Sequence, residues 1–328
     1  MLKNLKQIRL GVLIATALVC GLILWENNRI HIEKEIIYIA DLPEDLEGFT
    51  ILQITDLHEK RFGKQQQRLL KKINAVAYDV VVITGDMLHR PDSTHTAPFY
   101  ELLEGLSRET PILFVKGNAD PFSYAIEPAF GKSDFIKEIE KRGATLLESY
   151  YTMEREQSAV QFVYFDFAVA ADPEVIGRVN GTFHSQHAEQ PDYREYQKQL
   201  WDAMQAAAIF DKENQVVVAL NHFPIVDARV DYIKEDPLTE WHHYDLIIAG
   251  HYHGGQIRIP FYGAMYIPEP WYEPNSMFPP QNRVQGLWEY EGNKQYVSAG
   301  LGSSDAIAAV KLRLFNPPEI NVLQLKRK

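Results

Sequence analysis

Seven residues carry the chemistry that this sequence can offer: Asp56, His58, Asp86, Asn118, His222, His251 and His253. They supply two carboxylates, four imidazoles and one amide oxygen. That mixture is too hard for a thiolate-type site and too rich in nitrogen for calcium, and it suits Zn²⁺, Mn²⁺ or Fe. Seven donors exceed what one tetrahedral ion takes. They suit two ions about 3.5–4 Å apart that share one carboxylate. The chain has a single cysteine, Cys20, which excludes an intramolecular disulfide and a cysteine-rich zinc site.

Each donor follows a short apolar run. Thr50–Thr55 (TILQIT) leads to Asp56-Leu57-His58, and Val80–Thr84 (VVVIT) to Gly85-Asp86. Pro111–Val115 (PILFV) leads through Lys116 to Gly117-Asn118. Val216–Leu220 (VVVAL) ends in Asn221-His222, and Asp245–Ala249 (DLIIA) in Gly250-His251-Tyr252-His253-Gly254-Gly255. Such runs read as strands covered on both faces. Helical spacing predicts helices over Lys64–Val76, Pro98–Leu106, Ser133–Arg142 (Ser133 as N-cap) and Tyr193–Phe210. Strands alternating with helices imply βαβ units, whose ligands sit beyond the carboxyl ends of the strands. All five polar endings fall there. Singly, an Asp-x-His, a Gly-Asp or a His before Phe-Pro is ordinary loop chemistry. The ordered set of five is what points to a site.

The 328 residues are 46% apolar and 23% charged, which excludes a disordered or low-complexity chain and supports a full core. Residues 26–328 hold 30 bases against 44 acids, so no nucleic-acid partner is expected. Leu10–Trp25 is an uncharged apolar run, preceded by Lys3, Lys6 and Arg9 and followed by Glu26. An uncleaved membrane anchor is the favoured reading. The competing readings are a signal peptide cleaved near Ala15-Thr16-Ala17 and a lipoprotein modified at Cys20. The charge asymmetry places the N-terminus in the cytoplasm and the rest of the chain outside it. The expected organisation is a basic tip and transmembrane anchor over 1–25, a linker and first strand over 26–49, and a catalytic domain over 50–328 with a variable insertion at 150–215.

The ordered set Asp56-x-His58, Gly85-Asp86, Gly117-Asn118, His222 and Gly250-His251-x-His253 resembles the calcineurin-like metallophosphoesterase superfamily. The likeness is greatest to its membrane-anchored bacterial branch, through LPEDLEGFTILQITDLH (42–58), GHYHGGQIRIP (250–260), VSAGLGSS (297–304) and RLFNPPEINVLQL (313–325). The resemblance implies an α/β fold, a four-layer αββα sandwich, here with an N-terminal transmembrane helix. It implies one metal held by Asp56, His58 and His253, another by Asn118, His222 and His251, and Asp86 bridging them. It implies direct attack on phosphorus by a hydroxide held between the two divalent ions (Mn, Zn or Fe).

One position departs from the family pattern. Where members usually carry Gly-Asn-His-Asp/Glu, this chain has Gly117-Asn118-Ala119-Asp120. The family's His is thought to protonate the leaving group or stabilise the transition state, and Ala119 does neither. Either the leaving group is good in itself, or another residue such as His89 substitutes. The catalytic candidates are therefore Asp86, Asn118, Asp120 and His89. The expected activity is hydrolysis of a phosphodiester or pyrophosphate bond outside the cytoplasm, on a phosphate-ester substrate that the anchor suggests is lipid-linked or envelope-derived. The alternative is a catalytically impaired metal-binding module on the same fold. An amidohydrolase is disfavoured, because its His-x-His follows the first strand rather than the last. His184, His187 and His242-His243 are read as structural or solvated, and Asn180-Gly181-Thr182 as a glycosylation pattern only in a suitable host. The Pro- and aromatic-rich segment 261–283 is read as a self-packed loop, or else as a substrate or membrane-surface contact.

Overall fold

The computed structural model describes residues 2–180, 182, 184–211, 213–272, 276–304 and 312–328. In chain order these form α1 (Leu2–Asn28), β1 (His31–Ile39), β2 (Thr50–Ile54), α2 (Gln67–Ile73), β3 (Val80–Ile83), α3 (Ala97–Gly105) and β4 (Ile112–Phe114). Then come β5 (Tyr124–Ala125), β6 (Gly131–Lys132), α4 (Asp134–Lys141), β7 (Ala144–Leu146), β8 (Tyr150–Arg155), β9 (Ser158–Tyr164) and α5 (Phe165–Ala168). The chain ends with α6 (Pro191–Ala207), β10 (Gln215–Leu220), α7 (Asp227–Glu235), β11 (Leu246–Ala249), β12 (Arg258–Ile259), β13 (Gly263–Ala264), β14 (Gly286–Tyr290), β15 (Asn293–Val297) and β16 (Glu319–Arg327).

Two six-stranded sheets, ordered β1-β16-β2-β3-β4-β7 and β14-β15-β11-β10-β9-β8, lie face to face. Alternation along each strand sorts the apolar side chains. Ile51, Val80, Val82 and Leu113 of the first sheet meet Val160, Phe162, Val216, Val218 and Ile248 of the second. Their neighbours Leu52, Ile54, Val81, Ile83 and Phe114 turn outward onto Leu69 and Ile73 of α2, Phe99 and Leu102 of α3, and Ile136 and Ile139 of α4. Val163, Val217, Ala219 and Ile247 turn outward from the second sheet onto Met204 of α6 and Val230 and Ile233 of α7. The result is the αββα order expected from the resemblance. Inside it, the Gln53 amide donates to Thr84 Oγ1 (2.9 Å) and to the Ala249 carbonyl (2.8 Å), tying β2 to the end of β11 across the sandwich.

The helices match their expected positions within a turn, and Ser133 caps α4 by accepting from the Ile136 N–H. The first helix differs in detail. Lys64–Gln66 form a 3₁₀ turn with Gln65 and Gln66 at positive φ, and the α-helix starts only at Gln67. Segment 150–215 contains β8 and β9, which finish one edge of the second sheet, β9 pairing in parallel with β10. Segment 26–49 holds the last turn of α1, all of β1, which pairs in parallel with β16, and the turn that leads to β2.

Helix α1 includes a 20-residue stretch, Arg9–Asn28, of mean hydropathy 1.8, long and apolar enough to cross a membrane by length and composition. Leu10, Leu13, Leu18 and Trp25 on it are exposed. Its C-terminal end is pinned to the globular part. Asn27 exchanges two hydrogen bonds with the Arg313 backbone (2.7 and 2.8 Å), and the Phe315 N–H donates to Glu26 (2.9 Å). The fully buried Arg313 guanidinium in turn donates to the carbonyls of Ala299, Gly302, Asn316 and His253 (2.7–3.2 Å). Burial pulls its pKa down to about 10, so it stays charged at neutral pH. Arg313→Met would leave those carbonyls without their donor at roughly 1–3 kcal/mol for a buried unsatisfied group. Thermal and denaturant unfolding of the detergent-solubilised chain should show a loss of at least about 3 kcal/mol.

Candidate metal centre

The strand registers bring the five polar endings to one rim. Ile54 pairs with Ile83 and Ile83 with Phe114 in the first sheet, and Leu220 with Ile248 in the second, so the strands end level. The chain then turns abruptly. Asp56, His58, Asp86, His251 and His253 all have φ between 45° and 71°. A left-handed residue directly after a strand swings its side chain off the sheet axis. Asp and His adopt this region more readily than most residues, at a cost of order 1–3 kcal/mol each. Two glycines give the close approach that the rim needs. A Cβ on Gly117 would collide with the Asp86 carboxylate, and one on Gly250 with Thr55 and Asp56.

Six of the seven sequence candidates form two buried or half-buried triads, Asp56-His58-His253 and Asp86-His222-His251, with their donor atoms within 4.8 Å of one another in each. Asn118 joins the second, its Oδ1 3.1 Å from His222 Nε2. Asp86 lies between them. Its Oδ2 is 3.5 Å from His58 Nε2 and 3.4 Å from His222 Nε2, while its Oδ1 accepts from the Ala119 N–H (2.7 Å). Asp56 Oδ1 is 3.6 Å from His253 Nε2, and Asp56 also accepts from Thr55 and from the His251 N–H.

The outer ring nitrogens decide what the inner ones do. His222 Nδ1 donates to the Thr84 carbonyl (2.8 Å) and His251 Nε2 to the Pro268 carbonyl (3.1 Å). These contacts assign the outer N–H of each ring and leave His222 Nε2 and His251 Nδ1 facing each other at 3.1 Å, as opposed lone pairs once His222 gives up its second proton. His58 Nε2 and His253 Nε2 face each other at 3.2 Å. Opposed lone pairs repel unless a cation lies among them. Donors at 2.0–2.2 Å from one ion stand roughly 3.0–3.5 Å apart. The donor set and its spacing therefore fit two divalent ions with Asp86 Oδ2 between them.

The electrostatics follow from burial and proximity. Burial, with the neighbouring Asp86 adding to it, pushes Asp56 up to about 7 against the pull of His222. Burial also works to raise Asp86, but the surrounding imidazoles of His222, His58 and His251 outweigh it and hold Asp86 well below the usual carboxylate range. His222 rises to about 9, burial being outweighed by Asp86 and Asp56. Burial and then His222 press His251 down to about 3, and burial and then His58 press His253 far down. His251 and His253 are thus held neutral, the state that cation ligands require, while His222 carries a proton that a bound cation would displace.

Asp120 and His89 sit outside the triads. The fully buried Asp120 accepts from the backbone N–H groups of Asp86, Met87, Leu88 and Gly117 (2.8–3.2 Å), so it clamps the turn that carries Asp86 to the turn that carries Asn118. His89 is half-buried, its ring centroid 5.5 Å from that of His58, and its backbone N–H donates to Glu59 (3.1 Å). The side chain of Ala119 is 5% exposed and offers no polar atom.

Several supporting residues had no local signal in the sequence. Arg313 and Asn316 both donate to the His253 carbonyl from about 60 residues away in the chain. Arg229 of α7 forms a buried ion pair with Asp166 (2.7 Å), which also accepts from Asn221 beside His222. Pro268 gives segment 261–283 a direct hold on His251, and Phe223 meets His251 and His222 edge-on at centroid distances of 4.5 and 5.0 Å. Among the histidines read as structural or solvated, His184 contacts the Val179 carbonyl, His187 that of Tyr124, and His242 that of Ala168. Gly181 of the glycosylation pattern lies outside the described residues.

Cavities flank the centre on two sides. One of about 350 Å³ adjoins His58 and His89 and is lined also by Lys60, Ser303, Leu312 and the α1 residues Ile23, Leu24 and Asn27. Another of about 330 Å³ lies on the Phe223 side, with His184, Arg229, Glu269 and Trp271. Because Gly117 abuts Asp86, Gly117→Ala should lower the apparent Mn²⁺ affinity at least tenfold in a calorimetric titration, the scale at which displacing a ligand's support acts. Unchanged affinity would contradict the placement of Asp86.

The calcineurin-like phosphoesterase family model matches residues 49–255, which hold all seven donors. The chain is 24% identical over 308 residues to the uncharacterized metallophosphoesterase YkuE of Bacillus subtilis (strain 168), covering 92% of this chain and 87% of that one. It is 22% identical over 338 residues to the UDP-2,3-diacylglucosamine pyrophosphatase LpxG of Chlamydia muridarum (strain MoPn / Nigg), covering 94% and 95%. The solved structure of the phosphopantetheinyl hydrolase PptH from Mycobacterium tuberculosis superposes with a TM-score of 0.40 at 14% identity over 78% of this chain and 91% of that chain. With the family match spanning more than half its length, and with the paired triads in place, the chain belongs to the calcineurin-like phosphoesterase family, as a metal-dependent phosphoric ester hydrolase.

Proposed function

We propose that this enzyme hydrolyses a phosphodiester or pyrophosphate bond of a lipid-linked or envelope-derived substrate on the extracytoplasmic face of the membrane. The observation that carries the reading is Asp86 Oδ2 set between His58 and His222, one carboxylate oxygen shared by two donor groups. Asp56, His58 and His253 would hold one ion and Asn118, His222 and His251 the other, with Asp86 common to both. Two divalent ions, when bound, lower the pKa of a water nucleophile and neutralise phosphate oxygens. The relative named a UDP-2,3-diacylglucosamine pyrophosphatase supports a lipid-linked pyrophosphate. The basic residues before the apolar run of α1, Lys3, Lys6 and Arg9, and Glu26 after it support the outward orientation.

The chain's own groups have distinct tasks in this reading. The Ala119 N–H holds Asp86 Oδ1, so that Oδ2 faces the reacting centre. Asn118, exposed at the mouth, reaches the substrate side. Asp120 acts as a positioning residue, because its four amide contacts use the carboxylate completely. The attacking water forms the new P–O bond as the bond to the leaving oxygen breaks in line, and that oxygen must be stable as an anion or take a proton. With Ala119 in place of the family's His, the substrate's leaving group is a phosphate or another good anion, or His89 delivers the proton from beside His58.

The full chain in detergent with Mn²⁺ should hydrolyse bis-p-nitrophenyl phosphate, and Asp86→Ala should abolish turnover together with binding of both ions. Retention of activity in that variant would defeat the bridging assignment. Ala119→His should raise kcat at least tenfold on diesters with alkyl leaving groups and much less on p-nitrophenyl esters, as general-acid help of roughly 10²–10⁴-fold implies. An equal effect on both ester classes would remove the leaving-group explanation.

A further inference from the structure

We infer that the last turn of α1 is a wall of the substrate site, and that the apolar limb of the substrate enters along this helix on the His58 side of the centre. The inference rests on the phosphoesterase reading above and adds where the substrate lies. Three independent observations converge on it.

The first is the cavity itself. Its walls join His58, His89 and Leu312 to Ile23, Leu24 and Asn27 of α1. Ile23 is half-buried in this wall, while Leu24 is 65% exposed at the mouth, continuous with the apolar surface of the helix. A limb leaving the bilayer along α1 therefore meets Leu24 and Ile23 before the imidazole of His58, while Glu59, Lys60 and Ser303 form the polar part of the same lining. A cavity of about 350 Å³ takes an alkyl segment of several carbons.

The second is the rigidity of that wall. Asn27 and Glu26 clamp α1 to Arg313 and Phe315, and the Arg313 guanidinium and the Asn316 amide both donate to the His253 carbonyl. The helix end and one candidate ligand thus share a single hydrogen-bonded frame. A flexible tether needs no such frame.

The third is the surface beside it. Leu314 pairs with Gln256 and Arg258 next to the β12–β13 ribbon. That ribbon and the segment after it expose Ile259, Phe261, Tyr262, Met277 and Phe278, with Phe315 and Trp25 at the adjoining helix end. Apolar and aromatic groups at the foot of a bilayer-length helix suit the membrane interface, where amphipathic rings concentrate. Seated there, the domain would turn the His58 cavity toward the acyl chains.

The test uses two phosphodiesters with one leaving group, p-nitrophenyl hexadecyl phosphate and p-nitrophenyl methyl phosphate, and the full chain in phosphatidylcholine vesicles with Mn²⁺. The native chain should prefer the hexadecyl ester. Ile23→Trp, which fills the cavity, should lower the hexadecyl-to-methyl ratio of kcat/KM at least tenfold, and Ile23→Leu should keep it. A hexadecyl analogue ending in a diazirine should photolabel Ile23, Leu24 or Leu312 and be displaced by the unlabelled ester, a readout independent of turnover. An unchanged ratio in Ile23→Trp, an equal loss on both esters, or labelling confined to Leu10–Leu18 overturns the inference while leaving the phosphoesterase reading intact. Failure of the native chain to hydrolyse either ester overturns both.

Discussion

One carboxylate organises this molecule. Asp86 is held from behind by the Ala119 N–H and from beneath by the amides that Asp120 gathers, so its second oxygen stands fixed between His58 and His222. His58 belongs to the first sheet and His222 to the second. Each donor group draws on both sheets, His253 joining Asp56 and His58, and Asp86 joining His222 and His251, so the position of each depends on how the sheets pack. A sandwich core filled by Val, Ile and Leu from both sides sets that spacing to atomic tolerance. It also offsets five left-handed residues and a buried concentration of like groups, neither of which a loose framework could hold.

The parts that were legible in the sequence are those whose cause is local. Apolar runs that end in Asp, Asn or His are visible because a strand covered on both faces has no polar positions until it stops. Asp56, Asp86, Asn118, His222, His251 and His253 all stand out that way. Helices α3 and α4 were legible through spacing and, at Ser133, a cap. The α2 start was not, because Gln65 and Gln66 take positive φ for reasons that lie in tertiary contacts, including the Gln66 side chain bonding the Lys60 and Pro98 carbonyls. The pairing of β1 with β16 was invisible for the same reason, since 288 residues separate partners such as His31 and Glu319. So were the roles of Arg313 and Pro268, whose contacts lie 60 and 17 residues away.

The aromatic segment after the His251 loop shows how two readings of one stretch can both have substance. Its inner residues Ala264, Ile267, Trp271 and Tyr272 pack on Tyr252, Val226 and Trp288 of the surrounding domain as well as on one another. Pro268 uses that packing to fix the tautomer of His251. Its outer residues, Phe261 and Phe278 among them, stay exposed. The same loop thus supports the centre from within and presents an apolar surface without.

The sheet order also bears on how the chain comes to be made. Strand β16 lies between β1 and β2 and holds the two together, although those strands leave the ribosome nearly 300 residues earlier. Until residues 319–327 arrive, β1 has no partner in its sheet and one edge of β2 stays open, with backbone groups free to pair with any passing strand. Arg313 and Asn316, which brace His253, arrive only shortly before β16. Closure is therefore dominated by very long-range contacts, which makes it slow and late. A growing chain is therefore an open framework until its last strand arrives, and it acquires its reactive geometry in one final step.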